Sequence, residues 1–322
     1  MVEEILENLY RIEIPLHGNP LKSINCYVIK SSERDMIIDT GWNREECITA
    51  LNAGLRELDV DLTKTDLFIT HLHADHIGLA QKLATDTSKV YFNKPEADWI
   101  VSGGQWHDFI EYARVSGFPE SELQTILQSN PGTTYRSQGL FDFTILEEHD
   151  TLSAGEYRFE CVATPGHTFG HMCLYEPTKK MFVSGDHILK DITPTIQLWS
   201  DGRNPLKEYQ ASLDKVYEFD IELVLPGHRS IFKNCKERIQ ELKHHHQKRS
   251  EEILFILEEG SRDAFEVASK MSWDIDCDSW DLFPVFQKWF ATGEAIAHLR
   301  FLEEQGRVRR EIRDKNIVYS LI

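Results

Sequence analysis

Apolar residues in this chain follow two rhythms. Up to about residue 226, short runs rich in Val, Ile, Phe and Tyr alternate with stretches of helical period. INCYVIK (24–30) and MIID (36–39) predict two strands joined by a polar turn at Ser31–Asp35. Residues 44–57 predict a helix, with Asn43 as its cap and Glu45 and Glu46 in its first turn. LFIT (67–70) predicts a short buried strand, 77–85 a helix and KVYF (89–92) another strand. FTILEE (143–148), YRFECVAT (157–164), MCLYEP (172–177) and KMFVSGD (180–186) predict further strands. A helix over 205–219 and a last strand LVLP (223–226) complete this part.

Two stretches depart from that alternation. Residues 95–140 are helical in pattern and carry Trp99, Trp106, Phe109, Tyr112, Phe118 and Tyr135. They read as an insertion, either core or a lid with an apolar wall. From residue 231 the helical period takes over. A long helix is expected over 231–259, a second over 263–271 and a third from near Pro284 to Glu304. RVRREI (307–312) and IVYSLI (317–322) then predict a hairpin. Helices followed by a two-stranded wing suggest a winged-helix-like unit. We expect two domains, 1–230 and 231–322.

The charge distribution agrees with a change of texture there. Of the net −18, residues 231–322 contribute only −2 and residues 1–230 contribute −16. So acidic a chain repels phosphate backbones and argues against nucleic acid as the main partner. The six cysteines are dispersed with no Cys-x-x-Cys, as expected of reduced, buried thiols. No apolar run approaches the ~18 residues of a membrane span. The first residues, Met1-Val2-Glu3-Glu4, are acidic where a secretory signal is basic. The expectation is a cytoplasmic protein that does not engage membranes.

Candidate chemistry begins directly after the LFIT strand, with His71-Leu72-His73-Ala74-Asp75-His76. Imidazoles two residues apart past a strand end can converge on one ion, and Asp75-His76 can face a second ion beside it. Neutral imidazole and carboxylate suit Zn²⁺ and similar borderline metals. Further donors sit at the ends of predicted strands: His167 in TPGHT (164–168), Asp186 in SGDH (184–187) and His228 in PGH (226–228). A glycine before each lets the backbone turn sharply and approach closely. Ligands at several neighbouring strand ends point to one cleft along a sheet edge. The triplet His244-His245-His246 lies mid-helix, where neighbours diverge by about 100°, so it cannot bind one ion together. It reads as a solvated or packing face.

Taken together, Asp39-Thr40-Gly41, the His71–His76 run, His167, Asp186 and His228 resemble the metallo-β-lactamase superfamily in residues and in order. The resemblance covers about residues 8–230. It implies an α/β fold, an αββα sandwich, followed here by the small winged-helix-like C-terminal domain. It implies that His71, His73 and His167 hold one metal, that Asp75, His76 and His228 hold a second, and that Asp186 bridges them. Asp39 would orient the site by hydrogen bonds, as would His171. Subgroups differ in informative ways. The commonest secreted β-lactamases carry Cys where Asp186 stands, and flavodiiron oxygen reductases carry Glu at the position of His73, so neither activity is expected. TPGHTFGHMCLY (164–175) is similar to hydroxyacylglutathione hydrolases, and the tail resembles an appendage in a subgroup that includes an endoribonuclease.

These readings imply a hydrolase with two divalent ions, zinc first, with iron or manganese accepted by the same donors. Such ions, about 3.5–4 Å apart, acidify a shared water toward a pKa of ~7. Asp75 is the residue expected to orient that nucleophile or take its proton. The expected substrate is a small molecule with an ester, thioester or lactone-like bond. An endoribonuclease acting on single-stranded RNA, with Arg307, Arg309, Arg310 and Arg313 as phosphate contacts, is the alternative. A non-catalytic regulatory module is a third reading. The sequence leaves open whether the chain forms a homo-oligomer.

Overall fold

The computed structural model describes residues 2–104, 106–129, 142–275 and 277–322. Its contacts group the chain into two compact units. One holds residues 1–103, 131–194 and 215–238; the other holds 104–130, 195–214 and 239–322.

The first unit is built on two mixed sheets. The larger runs in chain order: β1 (Val2–Leu6), β2 (Leu9–Pro15), β3 (Ser23–Ile29), β4 (Asp35–Ile38), β5 (Thr65–Phe68), β6 (Val90–Asn93) and β7 (Phe143–Leu146). β1 to β4 pair antiparallel and β4 to β7 parallel. The smaller sheet comprises β8 (Thr151–Ala154), β9 (Tyr157–Ala163), β10 (Met172–Glu176), β11 (Met181–Gly185) and β12 (Leu223–Pro226). Its pairs are antiparallel except β11 with β12.

Period-two alternation decides which face each side chain serves. In β3, Ile24, Cys26 and Val28 pack with Cys47, Leu51 and Leu55 of the helix Glu45–Glu57. The intervening Tyr27 and Ile29 join Phe159, Leu174 and Val183 of the smaller sheet. Strands buried on both faces explain why their sequences are near-continuous apolar runs.

Several expectations are corrected in detail. The helix at 45–57 is capped by Arg44 rather than Asn43, without a side-chain cap. The helix expected over 77–85 is instead two single turns, Ala74–Ile77 and Ala80–Leu83, separated at Gly78-Leu79. The long helix begins at Cys235 and not at 231, because Phe232 bridges to Val224 of β12. β1, β2 and β8 lacked a strong apolar signal because charged residues interrupt or flank them.

In the second unit the helix Val285–Glu304 is buried almost all round, as a central helix must be. Its Trp289 stacks on Trp199 at 3.9 Å between ring centroids and meets Phe118 edge-on. Lys288 in the same helix is buried and paired with Glu122 at 2.7 Å. The chain closes with the hairpin β13 (Val308–Arg313) and β14 (Asn316–Leu321). Tyr135 lies outside the described residues, whereas Phe118 is a core residue of this unit. Among the described residues, no helix is long and apolar enough to cross a membrane.

Candidate metal centre

Four strand ends of the first unit meet at one place. Thr70, past the end of β5, accepts a backbone bond from Met172 at the start of β10 (2.9 Å). Gly227, past β12, donates to Gly185 of β11 (2.8 Å) and accepts from Asn25 of β3 (2.7 Å). These bonds stitch together the loops that carry His71, His73, Asp75, His76, His167, Asp186 and His228. Within that set, three overlapping groups have donor atoms all within 4.8 Å of one another. They are His71, His73 and His167; His71, His76 and Asp186; and Asp75, His76 and His228.

Two glycines make the approach of these loops sterically open. Gly185 has φ +47°, and a Cβ there would stand 2.7 Å from His171 Nε2 and 2.9 Å from Thr70 Cβ. A Cβ on Gly227 would stand 2.5 Å from Asp186 Oδ1. A larger residue would press on His171 and Thr70 at position 185 and on the Asp186 carboxylate at position 227.

Hydrogen bonds fix the imidazole tautomers. His228 Nδ1 lies 2.7 Å from the Ser23 carbonyl, so it must donate, which turns Nε2 inward toward Asp75 and Asp186. His76 Nδ1 is 2.7 Å from Asp39 Oδ2, with its Nε2 likewise turned inward. Asp39, itself in the left-handed region at φ 56°, also accepts from the Thr70 N–H (2.9 Å) and hydroxyl (2.9 Å). With its proton on Asp39, the Thr70 oxygen accepts from His71 Nδ1 (3.0 Å). One carboxylate thereby sets two rings. Thr40 and Gly41 add backbone clamps, their N–H groups reaching the carbonyls of His76 (2.8 Å) and Asp75 (2.7 Å).

His171 stands behind the cluster. Its Nε2 accepts from the Asp186 N–H (3.1 Å), so its proton is on Nδ1, donated to Thr164 Oγ1 (2.8 Å). Sequence reasoning passed over Thr70, Thr164 and Glu96. Thr70 carries a signal in hindsight, a hydroxyl immediately before the histidine run. Glu96 is fully buried on the helix Lys94–Val101, and burial pushes its carboxyl up to about 7.

The electrostatics divide the site. Burial and the surrounding imidazoles hold His71 well below the usual histidine range and bring His73 to about 3. Both are neutral donors. Against burial, the Asp39 and Asp186 carboxylates hold His76 well above that range. Asp186 and Asp75 do the same to His228, which reaches about 10. Against burial again, the facing His228 and His76 imidazoles bring Asp75 to about 2. Asp186 is held well below the usual carboxylate range by His228 and His76.

This donor set fits divalent metal. His73 Nδ1 lies 3.0 Å from both His71 Nε2 and His167 Nε2, a convergence of nitrogens that a cation relieves. His76 Nε2, His228 Nε2 and Asp186 Oδ1 are buried without a hydrogen-bond partner. Buried polar atoms are costly when unpaired, and coordination is one way to satisfy them. The second nitrogens of His76 and His228 are already engaged by a carboxylate and a carbonyl, as metal-binding histidines require. Among the described residues, no such group includes the His244–His246 triplet; His246 is buried with its Nδ1 3.2 Å from His298 Nε2.

Comparison with known proteins gives a consistent picture. A family model described as the metallo-beta-lactamase superfamily matches residues 19–228. A second, described as the metallo-beta-lactamase-like C-terminal domain, matches residues 281–320. A probable metallo-hydrolase of Bacillus subtilis is 24% identical over 294 residues, covering 87% of each chain. A human acyl-coenzyme A thioesterase is 26% identical over 225 residues, covering 65% of this chain and 74% of that protein. The crystal structure of a metallo-beta-lactamase family protein from Thermus thermophilus superposes with a TM-score of 0.83 at 25% identity. The match covers 99% of this chain and all of that one.

Proposed function

This chain belongs to the metallo-beta-lactamase superfamily and is a metallo-hydrolase; from that premise we propose that it cleaves a thioester, ester or lactone-like bond in a small molecule with two divalent ions, zinc by preference. The observation that carries the proposal is the convergence of five imidazoles and two carboxylates in three overlapping donor groups. His71, His73 and His167 would hold one ion and Asp75, His76 and His228 the other. Asp186 faces both halves, with Oδ2 3.6 Å from His167 Nε2 and 3.4 Å from His228 Nε2.

When bound, such ions act as Lewis acids and lower the pKa of a coordinated water. The protein's own groups do the rest. Asp75 stays ionised and part-exposed, with Oδ2 3.3 Å from His228 Nε2, so it can orient an attacking water by accepting a hydrogen bond. Asp39 and Thr70 hold the rings of His76 and His71 in the tautomers that aim Nε2 inward. His171 holds the backbone of Asp186.

The thioester class has support in the thioesterase among the relatives. The RNA reading has less. Arg310 pairs with Asp201 and Glu303, while Arg309 and Arg313 pair with Glu311, so the hairpin's charge is largely spent within its own unit. The proposal includes winged-helix-like character for residues 231–322 and action in the cytoplasm. The six free thiols, five of them buried, suit a reducing compartment.

The test is a substrate panel on zinc-reconstituted protein: acyl thioesters, aryl esters, lactones and unstructured RNA at low salt. We expect turnover of thioesters or esters and intact RNA. RNA cleavage with every ester, thioester and lactone left untouched would overturn the proposal.

A further inference from the structure

We propose that Glu96 is a positioning residue for the three-histidine half of the site, its buried carboxylate tying the loop that carries His167 to the start of the helix Lys94–Val101. The inference rests on the metal reading above and adds a residue to it.

Glu96 is the third residue of the helix Lys94–Val101, whose N-cap Asn93 accepts from the Glu96 N–H at 2.9 Å. A glutamate at that position ordinarily folds back to the backbone N–H of the cap residue. Here the carboxylate goes elsewhere. Oε2 takes the Asn93 side-chain amide at 3.2 Å, and Oε1 takes the N–H of Gly170 at 3.0 Å, 74 residues along the chain. The same group thus holds the His167 loop without being a ligand.

Packing at Gly170 points the same way. A Cβ there would stand 2.0 Å from Asn93 Oδ1 and 2.8 Å from Glu96 Cγ. The His167 loop is seated directly on the start of this helix, with no room for a side chain between. A carboxylate with no exposed surface is costly. Its retention is explained if the bonds it makes hold the His167 loop in place on the helix. The other half of the site is anchored differently, through Asp39, Thr40 and the Ser23 carbonyl. Losing Glu96 should therefore loosen one half and spare the other.

The experiment titrates metal-stripped full-length protein with Co²⁺ against a competing chelator, following the visible absorption of the bound ion. Wild type should take up about two equivalents. Glu96→Ala should weaken one of them by about 10- to 100-fold and leave the other nearly unchanged. Glu96→Gln can keep the Gly170 bond but presents one acceptor oxygen in place of two, so it should fall between. Gly170→Ala should weaken the same equivalent by pushing the loop off the helix. Asp66→Asn is the control. Asp66 is a buried carboxylate of β5 paired with Arg34 at 2.7 Å, and its loss should lower the melting temperature with both equivalents intact.

If Glu96→Ala does not fold, Glu96→Gln and Gly170→Ala decide. The proposal is overturned if the folded variants bind both equivalents as wild type does. It is equally overturned if both weaken together, or if Asp66→Asn weakens the same equivalent as much. A wild-type chain that takes up no Co²⁺ overturns the metal reading itself, and this inference with it.

Discussion

Asp186→Ala should lower hydrolysis by on the order of 10³-fold or more while the chain stays folded, because metal-assisted stabilisation worth several kcal/mol depends on it. The Asp186 side chain faces three imidazoles from three different segments. Oδ1 lies 3.5 Å from His76 Nε2, and Oδ2 lies near His228 Nε2 and His167 Nε2. Removing it leaves the facing nitrogens of both halves without the carboxylate between them. Asp186→Asn separates charge from shape. It keeps the volume beside Gly227, where space is tight, but not the charge, so it should be almost as inactive. Activity on a generic ester or thioester is the readout, with circular dichroism to confirm the fold. Retention of a tenth or more of wild-type activity by the alanine variant would contradict the assignment.

Removal of metal by exhaustive chelation should abolish turnover and lower thermal stability together, and zinc should restore both. An ion that binds only the folded chain contributes about 4 kcal/mol when its free concentration is 1,000 times its Kd. For a catalytic unit of this size, that corresponds to a melting temperature lower by roughly 10 °C per site lost. The physical reason is visible in the site. Buried nitrogens at 3.0 Å from one another and unpartnered buried polar atoms gain little from folding unless something positive joins them. Calorimetry before and after chelation measures the shift, and unchanged activity after chelation would exclude a metal-dependent reaction.

The site's main residues were legible because each sits where a strand stops. His71, His167, Asp186 and His228 all follow short apolar runs, and a run that ends in Pro-Gly-His or Ser-Gly-Asp announces both the turn and the donor. What joins them was legible only in part: the resemblance marks Asp39 as an orienting carboxylate but not its partners, and Glu96 carries no such signal. The Asp39 carboxylate meets His76 across 37 positions, and Glu96 meets Gly170 across 74. Such pairings depend on strand order and register, which no local pattern carries.

The fold shows the same division. Interior strands β3 to β6 announce themselves through runs of Val, Ile and Phe because both of their faces are buried. β1, by contrast, is half polar and is recognised only once β2 lies beside it. The exchange of Asn43 for Arg44 at the first helix cap has a similar origin. The Arg44 N–H bonds the Trp42 carbonyl and its own carbonyl accepts from Ile48, so the backbone reaches the helix one residue later than side-chain preference suggests.

Equilibrium dialysis of the chelator-stripped full-length chain against buffered zinc, followed by elemental analysis, tests the central claim most directly. The account predicts about two tightly held ions per chain. Less than about one-tenth of an ion per chain, at zinc levels that saturate known dinuclear hydrolases, would contradict it.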